Sequence, residues 1–179
     1  YVDQKESHKY YGEVIGRELV EMTRNIFPLS HKKEDTYLAG FSMGGYGAIR
    51  NGLKYHDTFG YIGAISAALL TDDLHNWGEG DDLLSSKSFA QSCFGDLNKV
   101  IGSDMDPKFL IDDLIATDIE IPKIFMAVGD NDFLYNENID YYNYLKSRNV
   151  DVEFRCSSGE HTWEFCNDYI KEFIEWLPL

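Results

Sequence analysis

Basic residues are scarce in this sequence: 16 Lys and Arg stand against 31 Asp and Glu, a formal charge of −15. No Lys/Arg cluster could contact a phosphate backbone, and the average field repels polyanions, which excludes nucleic acid as a partner. Long apolar runs are missing too. The longest uncharged stretches, Thr36 to Ile49 and Thr58 to Thr71, are each about 14 residues, short of the roughly 20 that a membrane-spanning helix needs. No membrane span is therefore expected. Only three cysteines occur, Cys93, Cys156 and Cys166, an odd number without C-x-x-C spacing, which argues against a disulfide framework and a zinc site. They read as free thiols in a reducing compartment; pairing of Cys156 with Cys166 is the less favoured alternative. The opening Tyr-Val-Asp-Gln-Lys-Glu-Ser-His lacks the basic start and apolar middle of a secretory signal, so a cytoplasmic location is expected.

What is present suits one α/β domain over residues 1–179, since 44% apolar content at this length can bury a substantial core. From Tyr10 to Phe27 the apolar Tyr11, Val14, Ile15, Leu19, Met22 and Ile26 recur at three and four, which predicts an amphipathic helix ended by Pro28. Thr36–Phe41 is a short β-prone run, Gly44–Lys54 a small-faced helix and Tyr61–Ile65 a second strand. Between about 67 and 120 acidic residues and glycines crowd the chain, with short helical pieces such as Lys108–Ile115; this reads as an insertion or cap lying over the site. Strand Ile121–Val128, helix Glu137–Arg148, strand Val150–Arg155 and a last helix follow. Alternation of this kind predicts a parallel sheet flanked by crossover helices.

Gly40-Phe-Ser-Met-Gly44 is a G-x-S-x-G stretch between a predicted strand and a predicted helix, the context of a nucleophile elbow. A serine at such a bend is exposed at the sheet's C-terminal edge, and the Met43 amide in the first helical turn points to where an oxyanion would form. The glycines at either end are expected to avoid collision where strand and helix approach. Ser42 needs a base, and imidazole titrates in a range that lets it accept a proton and return it. His161, after the fourth strand and before a helix, has the right place. An acid is required after a later strand, and Gly129-Asp-Asn-Asp-Phe-Leu134 offers Asp132, favoured, with Asp130 as its rival. His8, His31, His56 and His75 lie in polar, charged stretches and read as solvated.

Asp72, Asp73, His75, Glu79, Asp81 and Asp82 supply oxygen ligands but lack the spacing of a calcium loop, so a solvated acidic loop is favoured and no metal is expected. Trp163 and Trp77 are candidates for lining a substrate pocket. Because Trp163 falls on the apolar stripe of the last helix, core packing is its favoured role.

The stretches Arg24-Asn-Ile-Phe-Pro-Leu-Ser30, Asp35-Thr-Tyr-Leu-Ala-Gly-Phe-Ser-Met-Gly-Gly-Tyr-Gly-Ala48, Gly129-Asp-Asn-Asp-Phe-Leu-Tyr135, Gly159-Glu-His-Thr-Trp163 and Trp176-Leu-Pro-Leu179 span nearly the whole chain. They resemble the α/β-hydrolase family of S-formylglutathione hydrolase (esterase D), feruloyl and acetyl xylan esterases and bacterial tributyrin esterases, the tributyrin branch most of all. The resemblance implies an α/β-hydrolase-type sheet, the triad Ser42, Asp132 and His161, and cofactor-free hydrolysis of short acyl esters (acetyl, butyryl or feruloyl), small-molecule or carbohydrate-linked. A thioester hydrolase of the S-formylglutathione type and a non-catalytic hydrolase-fold fragment are the alternatives. Members of that family begin with several more strands, whose early loop supplies a second oxyanion amide. This chain therefore reads as a C-terminal portion, expected to pair with such an N-terminal segment or with a second copy, to expose the Thr36–Gly40 edge, and to hydrolyse esters poorly by itself.

Overall fold

A computed structural model describes residues 1–78 and 86–179. The polar opening residues form a two-stranded antiparallel ribbon, β1 (Asp3–Gln4) with β2 (Lys9–Tyr10), too short to leave a periodic signal. A continuous helical run follows: α1 (Tyr11–Glu13), a π-helical turn over Val14–Glu18, and α2 (Leu19–Ile26). Phe27 leaves it in extended backbone, φ −121° and ψ 150°, as the ring of Pro28 demands of its predecessor. The apolar stripe of this helix does not face the body. Val14, Leu19, Met22 and Ile26 are exposed, and the helix approaches through Gly12 and Gly16 instead. A Cβ on Gly16 would lie 2.1 Å from the Tyr55 ring, a closeness that only a residue without a side chain permits.

Four parallel strands, β3 (Tyr37–Phe41), β4 (Tyr61–Ile65), β5 (Lys123–Gly129) and β6 (Val152–Ser157), lie in that spatial order. Among the described residues β3 pairs with β4 alone, so its other edge is open. The register aligns Phe41 with Ile65, Ile65 with Ala127, and Gly129 with Ser157, which brings the loops after β3, β5 and β6 to one edge. Between strands run α3 (Met43–Lys54), α4 (Lys87–Phe94), α5 (Pro107–Ala116) and α6 (Tyr135–Ser147), with α7 (Trp163–Trp176) last. Side chains alternate across the sheet as the period of two requires. Ile62, Ala64, Ile124 and Met126 share a core with α3, α5 and α6, while Ile65, Phe125 and Ala127 pack with Phe165, Tyr169 and Phe173 of α7. Among the described residues no helix is long and apolar enough to cross a membrane.

The stretch expected as an insertion has two characters. Leu74, Ala90, Leu97 and Val100 form a small core of their own, with Trp77 and Phe94 against it. Helix α5 contributes Leu110, Ile111 and Leu114 to the main core. It starts where Asp106 accepts a hydrogen bond from the Lys108 amide at 2.9 Å and Pro107 takes the first helical position, the residue types that satisfy an orphan donor and preset φ. In the acidic stretch Asp72 pairs with Lys108, and Glu79, Asp81 and Asp82 lie outside the described residues. Cys93, Cys156 and Cys166 are all free thiols.

A buried ion cluster ties the ribbon to α3. The Arg50 side chain is fully buried; its Nη2 lies 2.9 Å from Asp104 and 3.7 Å from Asp3, and Lys54 Nζ reaches Asp3 at 3.0 Å and also Asp104. Burial pushes the Asp3 carboxyl up. Hydrogen bonds from Lys54 and the Glu13 amide, with the charges of Lys54 and Arg50, outweigh that and hold it below the usual aspartate range. A depressed carboxyl stabilises the fold above its unfolded-state value, about pH 4, and that contribution fades as pH falls further. Asp3→Asn is expected to destabilise by about 1–3 kcal/mol at pH 7. Urea midpoints followed from pH 7 to pH 3 should converge on those of the wild type.

Candidate active site

One residue separates the end of β3 from the start of α3, and the chain must reverse there. Ser42 does so at φ 59° and ψ −120°, backbone angles that cost a non-glycine residue of order 1–3 kcal/mol. Surrounding hydrogen bonds hold it. Its amide donates to the Ile65 carbonyl at 2.9 Å, and its carbonyl accepts from the amides of Gly45, Tyr46 and Ala68 at 3.0, 3.2 and 2.9 Å. Gly40 faces the helix so closely that a Cβ would lie 2.1 Å from the Gly44 carbonyl oxygen. A Cβ on Gly44 would meet nothing nearer than the Tyr1 hydroxyl at 3.9 Å. The collision anticipated at both glycines thus applies to the first alone. Gly40→Ala forces strand and helix apart, and should lower stability by at least the roughly 3 kcal/mol at the upper end of overpacking costs; thermal unfolding would register it.

His161 arrives from the loop after β6, and its Nε2 lies 3.0 Å from Ser42 Oγ. Its Nδ1 lies 2.9 Å from Asp132 Oδ2 and 3.0 Å from Oδ1. The Asp132 side chain is fully buried and that of His161 is 16% exposed. Asp132 Oδ1 also accepts the Leu134 amide at 2.8 Å, which anchors the carboxylate to its own loop. Asp130 points elsewhere: its Oδ1 accepts from the Gly159 amide at 3.1 Å and from Asn131 Nδ2 at 2.8 Å. With the Asn131 amide donating to the Gly159 carbonyl at 2.9 Å, it braces the loop that carries His161. The two neighbouring aspartates divide the work, one facing the ring and one the ring's loop.

Two aromatic residues absent from the sequence-based candidates flank the imidazole. Phe41 stacks on it with centroids 4.5 Å apart, and Phe133 lies tilted at 4.4 Å. Each adjoins a candidate site residue, Ser42 or Asp132, and that adjacency is the signal the sequence held. Trp163 is 73% exposed and leans on Phe41 at 5.2 Å, so the expected core packing is corrected. Phe165, two residues further along the first turn of α7, is the one that enters the core. Trp163 is also not among the residues lining the cavity beside Ser42, whereas Trp77 is.

That cavity, about 740 Å³, opens onto Ser42, within the size range of small-molecule sites. Met43, Leu74, Trp77, Phe89, Phe94 and Phe133 make much of its wall, with Lys9 and Glu137 as its charged members among the described residues. Met43, itself in the lining, is the first residue of α3, where an amide has no partner within the helix. The arrangement provides a hydroxyl beside an acceptor nitrogen, a buried carboxylate behind the ring, a free helix-terminal amide and a largely apolar chamber. Such a set can carry out nucleophilic acyl transfer.

A family model described as "Putative esterase" matches residues 1–177. The chain is 43% identical over 178 residues to an acetyl esterase of Caldicellulosiruptor saccharolyticus, covering 99% of this chain and 67% of that protein. It resembles the solved S-formylglutathione hydrolase of Staphylococcus aureus with a TM-score of 0.81 and 34% identity, covering 99% of this chain and 66% of that one. A fluorophosphonate-binding serine hydrolase F of the same organism gives a TM-score of 0.81 and 35% identity over 95% of this chain and 64% of that one. The chain thus spans about two thirds of the length of these relatives.

Proposed function

The chain belongs to this esterase family, and on that premise we propose that the protein carrying it is a serine carboxylic ester hydrolase acting on short acyl esters through an acyl-enzyme. One observation carries the reading: Asp132, His161 and Ser42, from three separate loops, form an unbroken hydrogen-bonded line at 2.9 and 3.0 Å. In the acylation step Ser42 Oγ bonds to the ester carbonyl carbon while His161 Nε2 takes its proton. The carbonyl oxygen becomes an oxyanion beside the Met43 amide. Collapse breaks the carbon–oxygen bond to the alcohol, which receives the proton from His161. Water then repeats the sequence on the acyl-serine, its proton passing through His161 back to Ser42. Asp132 holds the ring with Nδ1 protonated, so that Nε2 is the nitrogen free to accept.

The relation to an S-formylglutathione hydrolase favours a second reading, in which the bond cleaved is a thioester; the same three residues serve either. Values of kcat/KM for 4-nitrophenyl acetate, 4-nitrophenyl butyrate, methyl ferulate and S-formylglutathione, measured on the full protein that carries the chain, discriminate between them. The expected result is the highest value on acetate or butyrate. A preference for S-formylglutathione by tenfold or more would transfer the assignment to thioesters.

A further inference from the structure

Glu137 sits in the first turn of α6, five residues beyond Asp132, and lines the same cavity as Ser42. One of its carboxylate oxygens, Oε2, is shut away from solvent and has no hydrogen-bond partner among the described residues. Three other polar groups of the wall differ. Gln4 Nε2 donates to the Ser92 carbonyl at 2.7 Å, Ser92 Oγ to the Phe89 carbonyl at 2.7 Å, and Tyr46 Oη to the Met105 carbonyl at 2.7 Å. Each of these is already spent within the protein. Placed near a helix start, Glu137 could have satisfied a terminal amide, yet it accepts from none. An acceptor without a donor beside apolar walls is unfavourable until something supplies the missing hydrogen.

We infer that Glu137 is a specificity-determining residue: rotation about its terminal side-chain bonds turns the unpaired carboxylate toward the cavity that the residue lines, where it accepts a hydrogen bond from a hydroxyl or ammonium group on the part of the substrate that fills the cavity. This rests on the esterase reading and extends it to a substrate class, esters that carry a hydrogen-bond donor away from the scissile bond. Occupation by such a group relieves the unpaired carboxylate, whereas a hydrocarbon of the same shape leaves it unpaired. Sites built around a buried polar group discriminate strongly against partners that lack its complement. Lys9, exposed in the same lining, opposes an ammonium electrostatically, so hydroxyl and ammonium are separate arms of the test.

The probes are the acetate of 2-phenylethanol and the acetates of its meta and para ring-hydroxylated and ring-aminomethylated analogues, assayed on the full protein. Wild type should prefer the best donor-bearing ester over the plain one by at least tenfold in kcat/KM. Glu137→Met removes both charge and acceptor and should bring that ratio to within about twofold of one. Glu137→Gln keeps an acceptor but loses the charge, and should lower the ammonium preference more than the hydroxyl preference. A purely structural role would reduce hydrolysis of all probes together and leave the ratio unchanged, which overturns the proposal. So does a wild type with no preference. Hydrolysis of none of the acetates would overturn the esterase reading and this inference with it.

Discussion

Ser42→Ala is expected to abolish covalent labelling by a fluorophosphonate and to lower ester hydrolysis by about four or more decades. The reason is stoichiometric: Ser42 Oγ is the atom that His161 Nε2 faces at 3.0 Å, and alanine leaves no oxygen to acylate. Alanine tolerates the positive φ no better and no worse than serine, and the hydrogen bonds that hold the bend run through the Ser42 main chain. The fold should therefore persist, checked by circular dichroism alongside the labelling. Label that still attaches to the alanine variant would end the nucleophile assignment.

Asp132→Asn should reduce kcat by roughly four decades with little change in stability, because the substitution reverses the tautomer of His161. The Leu134 amide donates to Oδ1 at 2.8 Å, and His161 Nδ1 lies 2.9 Å from Oδ2 and 3.0 Å from Oδ1. In the variant the Leu134 amide keeps the carbonyl oxygen, which turns the new NH₂ toward Nδ1. The ring nitrogen must then accept, its proton moves to Nε2, and Nε2 can no longer take the proton of Ser42. Raising pH would not restore the rate, since the defect is the position of a proton and not its loss. Asp130→Asn, by contrast, weakens only the brace to Gly159, and should cost far less. Equal losses in the two variants, measured as kcat on one ester, would show that the aspartates act only through loop structure.

Much of this molecule could be read locally. Short runs such as Tyr37–Phe41 and Tyr61–Ile65 announce strands because apolar and aromatic residues of strand length stand between polar and glycine-bearing stretches. The elbow is legible because a one-residue reversal between strand and helix restricts the residue types around it. What the sequence left open involves partners far apart. Asp130 and Asp132 are both plausible from neighbours alone, and they separate only when the loop 29 residues later is brought alongside. The apolar stripe of α1 and α2 shows correctly as a helix and misleads about its direction, because the contact surface is made by Gly12 and Gly16, which contribute no hydrophobicity to a periodic pattern. The early part of the 67–120 stretch carries a small core and part of the cavity wall, whereas α5 fills the main core.

The amino-acid order by itself determined the four strands of the sheet and the longer helices beside them, that the sheet is parallel, and which residue types stand at its C-terminal edge, since backbone preference and side-chain periodicity act over a few residues. Tertiary structure alone decided which aspartate faces His161, that Phe41 and Phe133 enclose its ring, that Trp163 stands in solvent, and that Arg50 is buried among carboxylates. Those outcomes depend on distances between groups up to 119 positions apart. Such distances are set by how the layers pack, and no local rule of the chain contains them.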